Sequence, residues 1–200
     1  MINKQKILVI GDLMLDRYWK GSVNRISPEA PVPIIDISQC DDKPGGAANV
    51  AKNLSDFDMD VILIGLIGND EAGQKLDEII SPLNIEYNPV IDSKIRTTLK
   101  LRVIDRDKQL LRIDHEDLGI SLNIDKILDN IMKFITKCDG IIISDYDKGV
   151  VKPIIKKLID HCNKNKIKTF IDPKSNSFKC YKDSFLLKPN LVEFEMIMGK

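Results

Sequence analysis

Lys6-Ile7-Leu8-Val9-Ile10-Gly11 is a β-branched apolar run closed by glycine, the form of a parallel strand buried on both faces. The form returns at Val61-Ile62-Leu63-Ile64-Gly65, Gly140-Ile141-Ile142-Ile143-Ser144 and Lys168-Thr169-Phe170-Ile171-Asp172, and more briefly at Leu186-Leu187-Lys188-Pro189-Asn190. Helix-like stretches separate these runs. Gly46 to Phe57 and Ala72 to Ile80 follow the first two, and Ile124 to Cys138 and Lys152 to Asn165 carry apolar residues three and four apart. Strands alternating with helices of this length predict βαβ units, hence an α/β fold with a mostly parallel sheet and helices on both faces.

Two segments break the rhythm. One spans 18–38 and contains Val32-Pro33-Ile34-Ile35-Asp36-Ile37. The other spans 96–115, where Thr98 to Ile104 and Gln109 to Asp114 alternate polar and apolar residues around a hairpin turn at Asp105-Arg106-Asp107-Lys108. Alternation implies a sheet with one wet face. Two such excursions from an α/β core predict a small β-sheet lid over the carboxyl ends of the core strands, where open α/β sheets bind ligands.

The 200 residues include 30 Lys+Arg and 30 Asp+Glu, so no global field draws the chain to nucleic acid or to a membrane. Any bound anion must be held by a local cluster. The four cysteines, Cys40, Cys138, Cys162 and Cys180, are too scattered for a metal clip and are expected to be reduced thiols. Met1 to Gln5 lead straight into the first strand without an apolar leader, so a cytoplasmic protein is expected.

Candidate chemistry lies at strand ends. Gly11-Asp12-Leu13-Met14-Leu15-Asp16-Arg17 sets two carboxylates after the first strand, although acids there are often plain caps. Asn24-Arg25-Ile26-Ser27-Pro28-Glu29-Ala30-Pro31-Val32-Pro33 is expected to be a rigid, extended loop with groups able to hold phosphate or a polyol. In Pro44-Gly45-Gly46-Ala47-Ala48-Asn49 the glycines allow close backbone approach at a helix start, with Asn49 one turn inside. Asp145 and Lys148 follow one strand, and Asp172 and Lys174 the next. Asn190 caps the last helix, with Glu193 at the capping-box position.

In this order the segments resemble the ribokinase-like (PfkB) carbohydrate kinases. Gly11 to Trp19 and Arg25 to Pro33 are similar to one branch of them, the D-glycero-β-D-manno-heptose 7-phosphate kinases. Pro44 to Ala51, Lys100 to Val103, Ser144 to Gly149, Ile171 to Lys174 and Pro189 to Glu195 extend the similarity along the chain. The resemblance implies a three-layer ribokinase-like fold with its C-terminal part missing, the lid lying within one incomplete domain over 1–200. It implies ATP and Mg²⁺ as cofactors, a sugar phosphate as substrate and a homodimer joined through the lid.

The family's sugar contacts fall on Asp16, Gly45, Gly46 and Asn49. Asn24, Arg25, Lys100, Arg102, Asp145 and Lys148 are further candidates for the substrate. The nucleotide side falls on Lys174, Asn190, Leu191, Val192 and Glu193, with Glu193 ordering Mg²⁺ through water. The family's Gly-Ala-Gly-Asp segment, which carries the catalytic base, does not occur up to Lys200. No catalytic residue is therefore assigned within these residues. The expected parent reaction is phosphorylation of heptose 7-phosphate at O1 in ADP-heptose and lipopolysaccharide core biosynthesis, with this chain alone expected to be inactive. The alternatives are a non-catalytic sugar-phosphate-binding remnant and another sugar kinase of the family.

Overall fold

The computed structural model describes residues 4–117, 124–174 and 178–198. In chain order its elements begin with β1 (Lys6–Ile26), β2 (Pro33–Gly46), α1 (Ala47–Asp56), β3 (Asp60–Ile67), α2 (Glu71–Ile80), β4 (Ile85–Tyr87) and β5 (Val90–Ile91). They continue with β6 (Thr98–Asp105), β7 (Lys108–His115), α3 (Ile124–Phe134), β8 (Gly140–Ser144), α4 (Ile155–Lys164), β9 (Lys168–Asp172), β10 (Leu186–Leu187) and α5 (Leu191–Met198).

The core sheet runs β10-β9-β8-β1-β3-β4, with β5 also on β3, and every pairing in it is parallel. Period-two alternation divides the first half of β1 between two cores. Leu8 and Ile10 pack with Ile62 and Ile64 against Ile127 and Ile131 of α3 and Leu158 of α4. Ile7 and Val9 pack with Val61 and Leu63 against Ala47, Ala48 and Ala51 of α1 and Leu76 and Ile80 of α2. Apolar residues on both faces are what made these strands read as continuous hydrophobic runs. The outcome is the expected three-layer fold.

The lid is a second sheet grown from the same strand. β1 continues past the core for a total of 21 residues. There β2 pairs with it antiparallel on one side, and β6 parallel on the other. β7 closes the lid by an antiparallel hairpin whose turn residue Arg106 has a φ of 54°. The first excursion is therefore wider than 18–38: lid pairing starts at Leu13 and runs to Gly46. The reason is that no turn residue interrupts β1 where it leaves the core. Asn24 and Ile26 still belong to that strand, and only Ser27 to Val32 form the connection, closed by the Ser27 N–H donating to the Val32 carbonyl at 2.8 Å. The expected loop is thus trimmed at both ends: Ser27 to Val32 connect the strands, while Asn24 to Ile26 and Pro33 belong to them.

Two side-chain sets fasten lid to core. Arg17 donates to Asp42 at 2.7 and 2.9 Å and to Glu71 of α2 at 2.7 and 3.2 Å. Asp70, the N-cap of α2, accepts from Gly73 N–H at 2.9 Å and from the backbone and hydroxyl of Thr97, just before β6, at 2.8 and 2.7 Å. Among the described residues no helix is long and apolar enough to cross a membrane.

Candidate active site beneath the lid

Asp16 lies where β1 passes from core to lid. Its Oδ1 accepts from Arg102 at 2.7 Å. A Cβ on Gly45 would stand 2.5 Å from Asp16 Oδ2, so glycine is what leaves this carboxylate room. Gly46 has a φ of 56°, and a Cβ there would come within 2.3 Å of the Asp12 carbonyl oxygen. The sharp entry into α1 that this conformation allows leaves Asn49 exposed on the first turn. Asp16, Tyr18, Lys43, Pro44, Asn49, Lys52 and Asn53 line one open cleft of about 480 Å³.

The lid's pairing orders the side chains over that cleft. Lys43, Asp16, Lys100 and Asp114 lie in one row across β2, β1, β6 and β7, and Asp41, Tyr18, Arg102 and Arg112 form the next row on the same face. Arg102 also covers the Tyr18 ring, 5.1 Å from its centroid. Lys100 Nζ sits 5.2 Å from the Tyr146 ring, and burial lowers its pKa from the ordinary lysine value.

Asp12 is 2% exposed and holds the loop after β8. One of its oxygens accepts from the backbone N–H groups of Tyr146, at 2.7 Å, and Lys148, at 3.2 Å. Burial raises its carboxyl to a pKa of about 6 against the pull of these donors. Lys148 bridges to Glu116, just beyond β7, at 2.5 Å. Asp145 has a different occupation: it accepts from the Tyr181 hydroxyl at 2.7 Å and from Asp147 N–H at 2.8 Å, and is 5% exposed.

The second half of the site lies along the same sheet edge. Gly11, Ser144 and Asp172 are in register across β1, β8 and β9, so Asp172 is two strand spacings, roughly 10 Å, from the end of the core part of β1. Beyond it the Asn190 side chain accepts from Glu193 N–H, and the Glu193 carboxylate accepts from Asn190 N–H, both at 2.9 Å. This is the expected reciprocal capping box. Lys174 reaches the other Glu193 oxygen at 3.2 Å, and Lys188 reaches Asp172 at 3.1 Å. Leu191 and Val192 are 69% and 59% exposed on the same first turn.

The structure thus brings Asp16, Gly45, Gly46, Asn49, Lys100 and Arg102 together, and gathers Lys174 and Asn190 to Glu193 nearby. It turns Asp145 to Tyr181 and commits Lys148 to Glu116. It does not bring Asn24 and Arg25 to this cleft. Arg25 pairs with Ile34 near the lid tip, nine residues along β1 from Asp16, about 30 Å at the rise of a strand. Sequence reasoning missed Lys43, Lys52 and Tyr18, because only strand register and the β2–α1 packing set them beside Asp16.

Three comparisons bear on this geometry. The pfkB family carbohydrate kinase profile matches residues 4–200. The chain is 42% identical over 197 residues to the bifunctional protein HldE of Actinobacillus pleuropneumoniae serotype 5b, and 43% identical over 195 residues to that of a Marinomonas species. These alignments cover 98% and 97% of the chain, but the chain spans 41% of the length of each relative. Among solved structures, a carbohydrate kinase from Agrobacterium tumefaciens superposes with a TM-score of 0.78 at 22% identity, over 98% of this chain and 64% of that one. Arabidopsis thaliana ribokinase complexed with ribose and ATP superposes with a TM-score of 0.73 at 14% identity, over 98% of this chain and 63% of its own. Both share the fold. By sequence and by architecture, the chain belongs to the pfkB family of carbohydrate kinases.

Proposed function

We propose that this chain supplies the acceptor-sugar site of an ATP-dependent kinase that phosphorylates D-glycero-β-D-manno-heptose 7-phosphate at O1, giving the 1,7-bisphosphate, for ADP-heptose and lipopolysaccharide core synthesis. The observation that carries this reading is that Asp16 and Asn49 line one cleft under the lid, with Arg102 holding the Asp16 carboxylate and Gly45 leaving it room. The heptose-branch resemblance of Gly11 to Trp19 and Arg25 to Pro33 narrows the sugar.

Phosphoryl transfer depends mainly on positioning and charge neutralisation. In this reading Asp16 accepts hydrogen bonds from sugar hydroxyls, and Arg102 fixes its carboxylate. Asn49 adds a neutral donor and acceptor. The lid strands keep water from the acceptor, and the first turn of α5, with Lys174, faces the nucleotide phosphates. A Mg²⁺ ion carried by those phosphates would neutralise their charge. Glu193 suits it only through water, since both its oxygens already accept bonds, and no cluster of three metal-ligating side chains exists among the described residues.

Two features support the setting. Cys40, Cys138 and Cys162 are free thiols, the state that a reducing compartment maintains. Trp19, Leu111 and Ile113, 37%, 47% and 46% exposed, share the lid face opposite Asp16, and we assign a second copy of the chain to that face.

The test measures ADP release and calorimetric binding with purified chain, heptose 7-phosphate, ATP and Mg²⁺. We expect weak sugar-phosphate binding and no turnover from the 200 residues alone, since general-base catalysis typically contributes ~10²–10⁴-fold. Turnover comparable to that of a complete family member would show that the base lies within the chain.

A further inference from the structure

The formal charges of the row across the lid balance, but its ion pairs do not. Asp16 is flanked by Lys43 on β2 and Lys100 on β6. The nearby carboxylates are engaged elsewhere: Asp16 with Arg102, Asp41 with Lys20 at 2.9 Å, Asp42 with Arg17, and Asp114 with Arg112 at 2.8 Å. Among the described residues neither Lys43 nor Lys100 has a carboxylate within ion-pair distance. Each instead lies over an aromatic ring, Lys43 Nζ 5.5 Å from Tyr18 and Lys100 Nζ 5.2 Å from Tyr146.

The two lysines are not equivalent. Lys100 and Tyr146 face the β8 loop, the side on which β9, Lys174 and Glu193 stand. Lys43 lies on the opposite flank, on the edge strand beside α1, and lines the open cleft with Asp16 and Asn49. A sugar held at Asp16 with its reacting hydroxyl toward β9 extends its far end over Lys43. A phosphate monoester there brings a charge of about −1.5 to −2 to a lysine that lacks a counter-charge.

We propose that Lys43 is the specificity residue for the phosphate the acceptor sugar already carries, so that this site selects a sugar phosphate over the free sugar. This rests on the heptose 7-phosphate reading above. Tyr18 positions the ammonium from below and Asn49 and Asn53 supply neutral donors at the cleft rim. Lys52 lines the same cleft, but its ammonium is held by Asp56 at 2.6 Å one helical turn away.

The test is titration calorimetry on the chain with heptose 7-phosphate and with unphosphorylated heptose, using unchanged protein, Lys43→Ala and Lys43→Arg. Thermal melts verify that each variant folds; Lys43 is solvent-exposed, so folding should be retained. Loss of a charge-assisted contact is expected to weaken heptose 7-phosphate about ten- to a hundredfold. Binding of the free sugar should stay unchanged, and Lys43→Arg should keep most of the affinity. Equal weakening of both sugars by Lys43→Ala, or no weakening of either, overturns the assignment while leaving the kinase reading intact. If the unchanged chain binds neither sugar, the kinase reading fails and this assignment fails with it.

Discussion

Asp12 is pulled in two directions, by burial that favours its neutral form and by backbone donors that favour its charge. Burial prevails, raising the pKa from 3.8 to about 6. The folded chain therefore binds a proton that the unfolded chain releases across that interval, and protonation stabilises the fold. The Asp12 contribution to stability is thus full below about pH 4 and is lost as pH rises to about 6, then stays flat. The whole loss is about 3 kcal/mol. Urea unfolding across this range should show the unchanged chain losing about that much stability relative to Asp12→Asn as pH rises, and parallel curves would contradict it. Gly46 poses a backbone problem instead. Its φ of 56° and the 2.3 Å approach of a would-be Cβ to the Asp12 carbonyl oxygen make Gly46→Ala cost about 1–3 kcal/mol, read as a lower melting temperature. An unaltered melt would mean that the β2–α1 junction relaxes freely. The sequence made Gly46 conspicuous through its doublet and the helix after it. Lys43 had no such mark, since its relation to Asp16 exists only across paired strands. Asp145 misled because an acid at a strand end reads alike whether it faces a ligand or a buried tyrosine.

Among the elements, the buried parallel strands were the most legible, because packing on both faces forces long apolar runs that few other structures tolerate. The helices agreed to within a turn: Gly46 to Phe57 became α1 at Ala47–Asp56, and Lys152 to Asn165 became α4 at Ile155–Lys164. The lid hairpin was readable from alternation and its turn. The long continuation of β1 was not, since the pattern shifts from double-sided burial to a wet sheet without a break residue. α5 shows what a local motif can decide. It has eight residues, and Leu191, Val192, Phe194 and Met196 on it are exposed, so little packing among the described residues holds it and the capping box matters more than usual. Asn190→Ala should cost that helix about 0.5–2 kcal/mol. It should also release Glu193 from its fixed rotamer, and faster proteolysis near the last helix would register the fraying. Unchanged cleavage would show that the helix stands without its cap.

At the scale of the molecule, apolar surface is unevenly distributed. Phe185 and Leu186 are 56% and 45% exposed at the β10 edge of the sheet, next to the bare side chains of α5. An unpaired edge beside an apolar helix is a template for association. The 200-residue chain should therefore self-associate through this end as well as through the lid. Sedimentation would separate the two: Leu111→Lys with Ile113→Lys should abolish only the lid-mediated species, and Leu186→Lys with Phe194→Lys only the other. A strictly monomeric unchanged chain would contradict both.

A strand that belongs to two sheets also has a dynamic consequence. Because β1 carries core hydrogen bonds from Lys6 to Asp12 and lid hydrogen bonds from Leu13 onward without an intervening loop, the lid has no slack linker on which to swing. Opening must be absorbed as a change of twist along the strand, resisted by the Arg17 ties to Asp42 and Glu71. Amide exchange should then grade smoothly along β1, slow at Val9 and Ile10 and faster toward Val23, without a step at Asp16. The lid is a flexing blade, and the depth of the cleft beneath it is set by how far one strand can be wound.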